Sequence, residues 1–216
     1  MSDIHSKQAN HNDRKDHDEA LKHLNLQSLE QINQINLHKN LLIYYGNIVD
    51  VKADAIVNTA NEGLLGGGGL DFLVHSLAGE ELKQFCSQVP ADDQGVRCCT
   101  GHCVITSGFK SNYKYIIHTV GPYLDENNKP QPKLLADCYK NSFQAGIQHN
   151  CTSIVFPCIS TGYYGYPMLE AAIISIETLN QCLQQCQKSN VIVTIAVFND
   201  LEQKIYTKLQ GEMLDA

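Results

Sequence analysis

The sequence predicts one α/β domain, a central mixed sheet with helices on both faces. Three observations carry that expectation. From Leu41 to Leu209, short apolar or β-branched runs alternate with stretches of helical spacing, the pattern of strands joined through helices. Two strand-to-helix junctions are rich in glycine and other small residues, at Gly66–Gly69 and Ser160–Gly165. And 216 residues suffice for one domain with a sizeable core plus a tail.

Residues 1–38 are polar and rich in Asn, Gln, His and Lys. They read as a disordered start followed by an amphipathic helix over Asp18–Ile32, with Leu21, Leu24 and Leu29 on its apolar side. The domain is expected over residues 39–216. Strands are expected at Leu42–Tyr45, Ala53–Asn58, Cys103–Ser107, Tyr115–Val120, Ser153–Ile159 and Val191–Phe198, where β-branched residues concentrate. Apolar residues at steps of three and four predict helices over Leu70–Ala78, Glu80–Val89, Leu134–His149, Pro167–Gln187 and Leu201–Leu209. Pro167 suits a helix start and Glu170 complements the dipole of the first turn. The Asn- and Pro-containing segment Tyr123–Lys133 reads as an exposed loop, and no internal repeat is visible.

The net charge of -7 argues against nonspecific binding to nucleic acid or to an anionic membrane surface. No apolar run has the length of a membrane span, and the first residues lack the apolar core of a signal peptide. An intracellular, monomeric protein is expected. Nine cysteines in a chain of this kind are expected to stay reduced. The cluster Cys98-Cys99-Thr100-Gly101-His102-Cys103 has no second half with zinc-finger spacing, and Cys182 and Cys186 suit helix packing, so no metal site and no cofactor are expected. His5, His11, His17 and His23 recur every sixth residue, which does not align them on one helix face.

The chemistry lies in the loop Asn58-Thr59-Ala60-Asn61-Glu62-Gly63-Leu64-Leu65-Gly66-Gly67-Gly68-Gly69-Leu70-Asp71. Glycines without Cβ atoms bring backbone N–H groups close to a ligand, and at the start of a helix those groups bind anions such as phosphate. Asp71 places a carboxylate beside them. The loop is neither a Walker A loop, which needs Gly-Lys-Ser/Thr, nor a dinucleotide fingerprint, whose last glycine would fall on Asp71 or Phe72. A second small-residue loop, Ser160-Thr161-Gly162-Tyr163-Tyr164-Gly165-Tyr166, follows another strand, and Phe198-Asn199-Asp200 ends a third. Two amide-rich loops and an aromatic at one end of a sheet suit a nucleotide diphosphate, with pyrophosphate between the loops and the base against Phe198.

These segments resemble the macrodomains, specifically the MacroD type of ADP-ribose-binding and hydrolysing modules. The resemblance rests on Gly46-Asn47-Ile48, Asp54–Asn61, Leu64–Asp71 with His75 and Ala78-Gly79, Ile117–Pro122, and Pro157–Pro167. It covers about residues 41–209 in order. It implies a three-layer α/β/α sandwich around a six-stranded mixed sheet, and ADP-ribose as ligand. Asn47 and Ile48 would border adenine, with Phe198 packed on its ring. The amides of Gly66, Gly67, Gly68, Gly69 and Leu70 would hold one side of the diphosphate. Ser160, Thr161, Gly162 and Tyr163 would hold the other, with Ala60, Ile159 and Gly165 completing the walls. Tyr164 would stack on the distal ribose, whose hydroxyls Asn61 and Asp71 would contact.

The reaction implied is hydrolysis of the ester joining ADP-ribose to an Asp or Glu side chain or to an acetyl group, with ADP-ribosylated proteins as partners. Asn61 and Asp71 would be the catalytic pair. Asp71 would orient or deprotonate the attacking water, or hold the ribose hydroxyl. Asn61 would fix the ribose. His75 reads as a locally bonded residue and His118 as a satisfied core histidine. Three residues depart from the family pattern: Asn47 in place of an aspartate, Phe72 in place of a glycine, and the bulky Tyr163. Crowding by Phe72 and Tyr163 motivates a second reading, a non-catalytic reader of ADP-ribose. A third is a phosphatase acting on the 1″-phosphate of ADP-ribose.

Overall fold

The computed structural model describes residues 35–188 and 190–211. The helix expected at Asp18–Ile32 and the four spaced histidines lie outside the described residues. Strand β1 spans Leu41–Tyr45 and is followed by a 3-10 turn at Ile48–Asp50; β2 spans Ala55–Ala60. Helices α1 (Gly69–Ala78) and α2 (Glu80–Ser87) precede β3 (Cys103–Ser107) and β4 (Tyr115–Val120). Then come α3 (Pro132–Gln148), β5 (Ser153–Phe156), α4 (Met168–Gln185), β6 (Ile192–Val197) and α5 (Asp200–Gln210). Each strand and helix expected from Leu42 onward is present, with ends shifted by no more than three residues. The 3-10 turn was not expected, because three residues show no periodicity.

The six strands form one sheet in the order β1-β6-β5-β2-β4-β3. All pairings are parallel except β3 with β4. Side chains alternate between the faces. On β2, Ala55 and Val57 join one core and Ile56 and Ala60 the other; on β5, Ile154 and Phe156 oppose Val155. The first core is closed by α3, α4 and α5 through Tyr139, Phe143, Ile176, Leu179, Ile205 and Leu209. The second is closed by α1 and α2 through Val74, Ala78, Leu82 and Cys86. Burial on both faces explains the unbroken apolar runs of the central strands, and the result is the three-layer sandwich.

Residues 35–38, read as tail, pack on the domain. Ile35 N donates to Leu209 O at 2.7 Å, His38 N donates to Asn180 Oδ1 at 2.8 Å, and Ile35 and Leu37 lie against the first core. No helix among the described residues is long and apolar enough to cross a membrane.

At the N-terminal edge of the sheet, Asp54 ties β2 to its neighbours. Its carboxylate accepts from Lys114 Nζ at 2.6 Å and from the Thr152 amide and hydroxyl, each at 2.7 Å. The Lys114 hydrogen bond first, then the Thr152 amide, hold this carboxyl well below the usual carboxylate range. A folded-state pKa below the unfolded value means stability that is complete above the ordinary carboxylate pKa and is lost as pH falls toward the folded value. Asp54→Asn should therefore lower the melting temperature at pH 7 by about 2–4 °C, corresponding to about 1 kcal/mol. The gap should narrow in melts at about pH 2, below the ordinary carboxylate pKa, where the unfolded chain is already protonated and part of the charge's contribution is gone. An undiminished gap at that pH would mean that something other than the charge holds the corner.

Candidate functional site

Five parallel strand ends point to one edge of the sheet, and the loops leaving them enclose a cleft of about 790 Å³. Clefts in open α/β sheets form at this carboxyl edge. The glycine run leaves β2, the Ser-Thr-Gly loop leaves β5, and Phe198 follows β6. The structure brings most of the expected residues to this cleft: Asn47, Ile48, Ala60, Asn61, Gly67–Asp71, Ile159–Tyr164 and Phe198.

Gly66, Gly165 and Phe72 differ. The Gly66 carbonyl is turned inward to accept from Asn61 Nδ2 at 3.1 Å, and its Cα faces the His75 ring. Gly66 therefore lies behind the cleft wall. Gly165 closes a turn in which its N–H donates to Gly162 O at 2.9 Å, with φ 66°, and does not line the cleft. Phe72 is 66% exposed on the outer side of α1 and does not line the cleft. A helix turns successive residues by about 100°, so Asp71 inward sends Phe72 outward. Crowding of the site by Phe72 is thereby removed.

Asn61 organises the first loop. Its Oδ1 accepts from Gly63 N at 3.1 Å while its Nδ2 reaches Gly66 O. It is thus an Asx-type turn residue that also fronts the cleft. Asp71 sits in the first turn of α1, where the helix dipole favours a carboxylate. It is only 2% exposed. Its Oδ1 accepts from Asn58 Nδ2 at 2.6 Å, and His75 Nε2 lies 3.5 Å from the same oxygen. Its Oδ2 is buried without a partner. Burial raises the Asp71 pKa, against the Asn58 hydrogen bond and the His75 charge, which lower it. A Cβ built on Gly67 would lie 3.0 Å from Asp71 Oδ2 and 3.1 Å from Asn61 Nδ2. The missing side chain of Gly67 thus leaves a notch onto which both polar groups converge.

The second loop is pinned from below. The Tyr139 hydroxyl accepts from Ile159 N at 3.0 Å and donates to Pro157 O at 3.3 Å, and Thr161 Oγ1 donates to Glu202 Oε1 at 2.6 Å. Ser160 has a left-handed backbone, φ 67°, uncommon without glycine. Its hydroxyl is buried without a partner and packs against Gly121. Among the described residues, the amides of Gly67–Gly69 and of Thr161–Tyr163 donate to no protein acceptor. Two rows of free N–H groups across a cleft form a site for a diphosphate.

At one end of the cleft Phe198 is 79% exposed, a free aromatic face beside Ile48. Asn47 caps the 3-10 turn, its side chain accepting from Val49 N at 3.3 Å. At the other end Tyr164 stacks on Tyr123, with ring centroids 3.6 Å apart and planes at 27°, and Tyr163 stands 94% exposed beside them. Tyr123, read as the start of a loop, is a wall of the site. Its position directly after the β4 strand and Gly121-Pro122 was the available signal. Burial first, then the Tyr123 hydroxyl, raise the Tyr164 pKa.

Asn58 and His118 were also not assigned to the site. They are register partners on β2 and β4, and Asn58 Nδ2 lies 3.1 Å from His118 Nδ1. A polar residue inside a buried parallel strand needs a partner, which was the signal for Asn58. Asp71, His75 and His118 offer donor atoms within 4.8 Å of one another, a set able to hold a metal ion. The Asn58 amide, bonded to both Asp71 and His118, occupies the space between them. The described cysteines are free thiols, and burial pushes Cys98 up to about 12 and Cys103 to about 11, which keeps them protonated.

The Macro domain family model matches residues 57–175. A macro domain-containing protein of Chlorobaculum tepidum is 40% identical over 171 residues, 78% of this chain and 95% of that protein. Human ADP-ribose glycohydrolase MACROD2 is 38% identical over 189 residues, which are 87% of this chain but 43% of that longer protein. Among solved structures, the Oceanobacillus iheyensis macrodomain with ADP superposes with a TM-score of 0.73 at 38% identity, covering 83% of this chain and 94% of that one. The Trypanosoma brucei macrodomain in complex with ADP-ribose gives 0.71 at 33% identity, covering 83% and 74%.

Proposed function

Since this chain belongs to the macrodomain family, we propose that its cleft binds ADP-ribose and that it is an ADP-ribosylhydrolase. The substrates are ADP-ribose esters, on modified Asp and Glu side chains and in O-acetyl-ADP-ribose. The observation that carries this reading is the convergence of Asp71 Oδ2 and Asn61 Nδ2 on the Gly67 notch, between the two rows of free amides. The diphosphate bridges those amides, adenine packs on Phe198, and the distal ribose lies toward Tyr164.

The unpartnered Asp71 Oδ2 accepts a hydrogen from the attacking water or from the ribose hydroxyl beside the scissile bond. The remaining Asn61 N–H donates to the ribose and holds it for attack. Water adds to the ester carbonyl, and collapse of the adduct releases the carboxylic acid and ADP-ribose. Asp71 must be ionised for this role. Because burial raises its pKa, activity should fall as the solution is acidified, starting above the ordinary carboxylate range.

Incubation with an Asp/Glu-ADP-ribosylated protein and with O-acetyl-ADP-ribose tests the reading. Release of ADP-ribose supports it. Tight binding of free ADP-ribose with no release from either substrate would leave a reader module. Release of phosphate from ADP-ribose 1″-phosphate at a higher kcat/KM would instead favour the phosphatase. Exposure of Tyr163 over the second loop is the observation left to the reader version, since Phe72 faces solvent.

The adenine end makes a separate prediction. Base–aromatic stacking contributes about 1–3 kcal/mol per base. Phe198→Ala should therefore raise the Kd for ADP-ribose about tenfold in calorimetry. Affinity for ribose 5-phosphate, which has no adenine, should not change. An equal loss for both ligands would move Phe198 away from the base.

A further inference from the structure

The hydrogen bonds behind Asp71 form a directed chain. Thr106 Oγ1 lies 3.0 Å from Ser107 O, which can only accept, and 3.2 Å from His118 Nε2, so with its one hydrogen on that carbonyl it faces His118 as an acceptor. In that arrangement Nε2 of His118 carries the hydrogen. His118 is fully buried, and burial, with the His75 charge, pushes its pKa down to about 3, so the ring is neutral. A neutral ring protonated at Nε2 has a bare Nδ1, which accepts from Asn58 Nδ2 at 3.1 Å. The second hydrogen of that amide goes to Asp71 Oδ1 at 2.6 Å. The reverse amide orientation would set the Asn58 oxygen against a carboxylate.

We propose that His118 is a positioning residue for the hydrolysis: its Nε2–H tautomer, set by Thr106, fixes the Asn58 amide, which in turn holds Asp71 ionised with Oδ2 toward the Gly67 notch. This proposal rests on the hydrolase reading of the same cleft. It goes beyond that reading in assigning a role to a residue that touches neither substrate nor reacting atoms. The chain is built into the sheet, since Asn58 and His118 sit opposite one another on β2 and β4, and β3 brings Thr106 alongside. If the tautomer is free to change, an Nδ1–H turns the Asn58 oxygen toward Asp71, and the carboxylate loses its donor. The other titratable groups facing Asp71 are His75 on its own helix, Cys86 on α2 and Tyr164 from the second loop. Among the described residues, only the hydrogen-bond chain through Asn58 reaches back to β3.

Nitrogen-15 spectra of the full chain read the tautomer directly. His118 should show the Nε2–H pattern and not titrate between about pH 5 and 8, where an ordinary histidine does. An Nδ1–H pattern, or titration in that range, would overturn the proposal. Thr106→Val, nearly isosteric, and His118→Phe should both move the carbon-13 carboxyl titration of Asp71 to higher pH; an unmoved titration overturns it as well. These two readouts hold whether or not the protein is a hydrolase, so the failure of that reading remains a separate result. With ester substrate, both variants should lose about tenfold in kcat and shift the acid limb of the kcat profile upward. Kd for ADP-ribose should stay within about twofold. His118→Asn, which keeps a polar atom on the γ branch facing Asn58, should recover part of the loss. Equal losses in kcat and affinity, with an unmoved acid limb, would make His118 a merely structural residue.

Discussion

Asp71→Asn should lower kcat for ADP-ribose ester hydrolysis by about 10²- to 10⁴-fold, the span expected when a positioned acid–base group is removed, while ADP-ribose still binds. Asparagine keeps the shape and can still present an oxygen to Asn58 Nδ2, 2.6 Å away in the wild type. What disappears is the negative charge at the unpartnered Oδ2 beside Gly67. Burial raises the Asp71 pKa, so the folded protein holds this carboxylate ionised at a cost in stability. The variant should accordingly melt no lower than wild type. Single-turnover kinetics with modified protein, calorimetry with ADP-ribose and a thermal melt separate the terms. A kcat within tenfold of wild type would remove Asp71 from the chemistry, and lost binding would make it a ligand anchor instead.

Gly121→Ala should damage both stability and binding. A Cβ there would overlap the Ser160 hydroxyl and stand 2.8 Å from Ile159 Cγ2. Both side chains are buried and cannot swing away. Overpacking of this kind costs about 1–3 kcal/mol, or a fall of roughly 2–12 °C in melting temperature at 2–4 °C per kcal/mol. The displaced residue would be Ser160, whose left-handed backbone aims the second row of amides into the cleft. The Kd for ADP-ribose should therefore rise at least about tenfold, or about 1.4 kcal/mol. Gly162→Ala is the stability control, because its Cβ would meet nothing within 4 Å. If Gly121→Ala melts like Gly162→Ala and binds ADP-ribose normally, the loop is not held from beneath.

Which parts of the site were legible follows from how local each signal was. The glycine run, Asp71 and the Ser-Thr-Gly loop are contiguous patterns that mark an anion cradle on their own. The fold class was legible because short apolar runs and stretches of 3.6-residue spacing alternate along the chain. Tyr123 was not, because its role depends on Tyr164, 41 residues away, folding onto its ring. Phe72 was misplaced for a related reason. Sequence position puts it beside Asp71, but the helical turn puts it outside.

The sequence by itself determined the α/β alternation, the two amide-rich loops, the candidate acid and the family resemblance, all carried by residues near one another in the chain. Only the tertiary structure decided the state of that acid. Pairing β2 with β4 sets Asn58 against His118, and closure of α1 over the sheet buries Asp71 against both. Burial raises its pKa while one amide holds one of its oxygens and leaves the other facing the cleft. Desolvation and hydrogen-bond direction are properties of a packed interior, and they arise here from residues 13 and 60 positions apart in the chain.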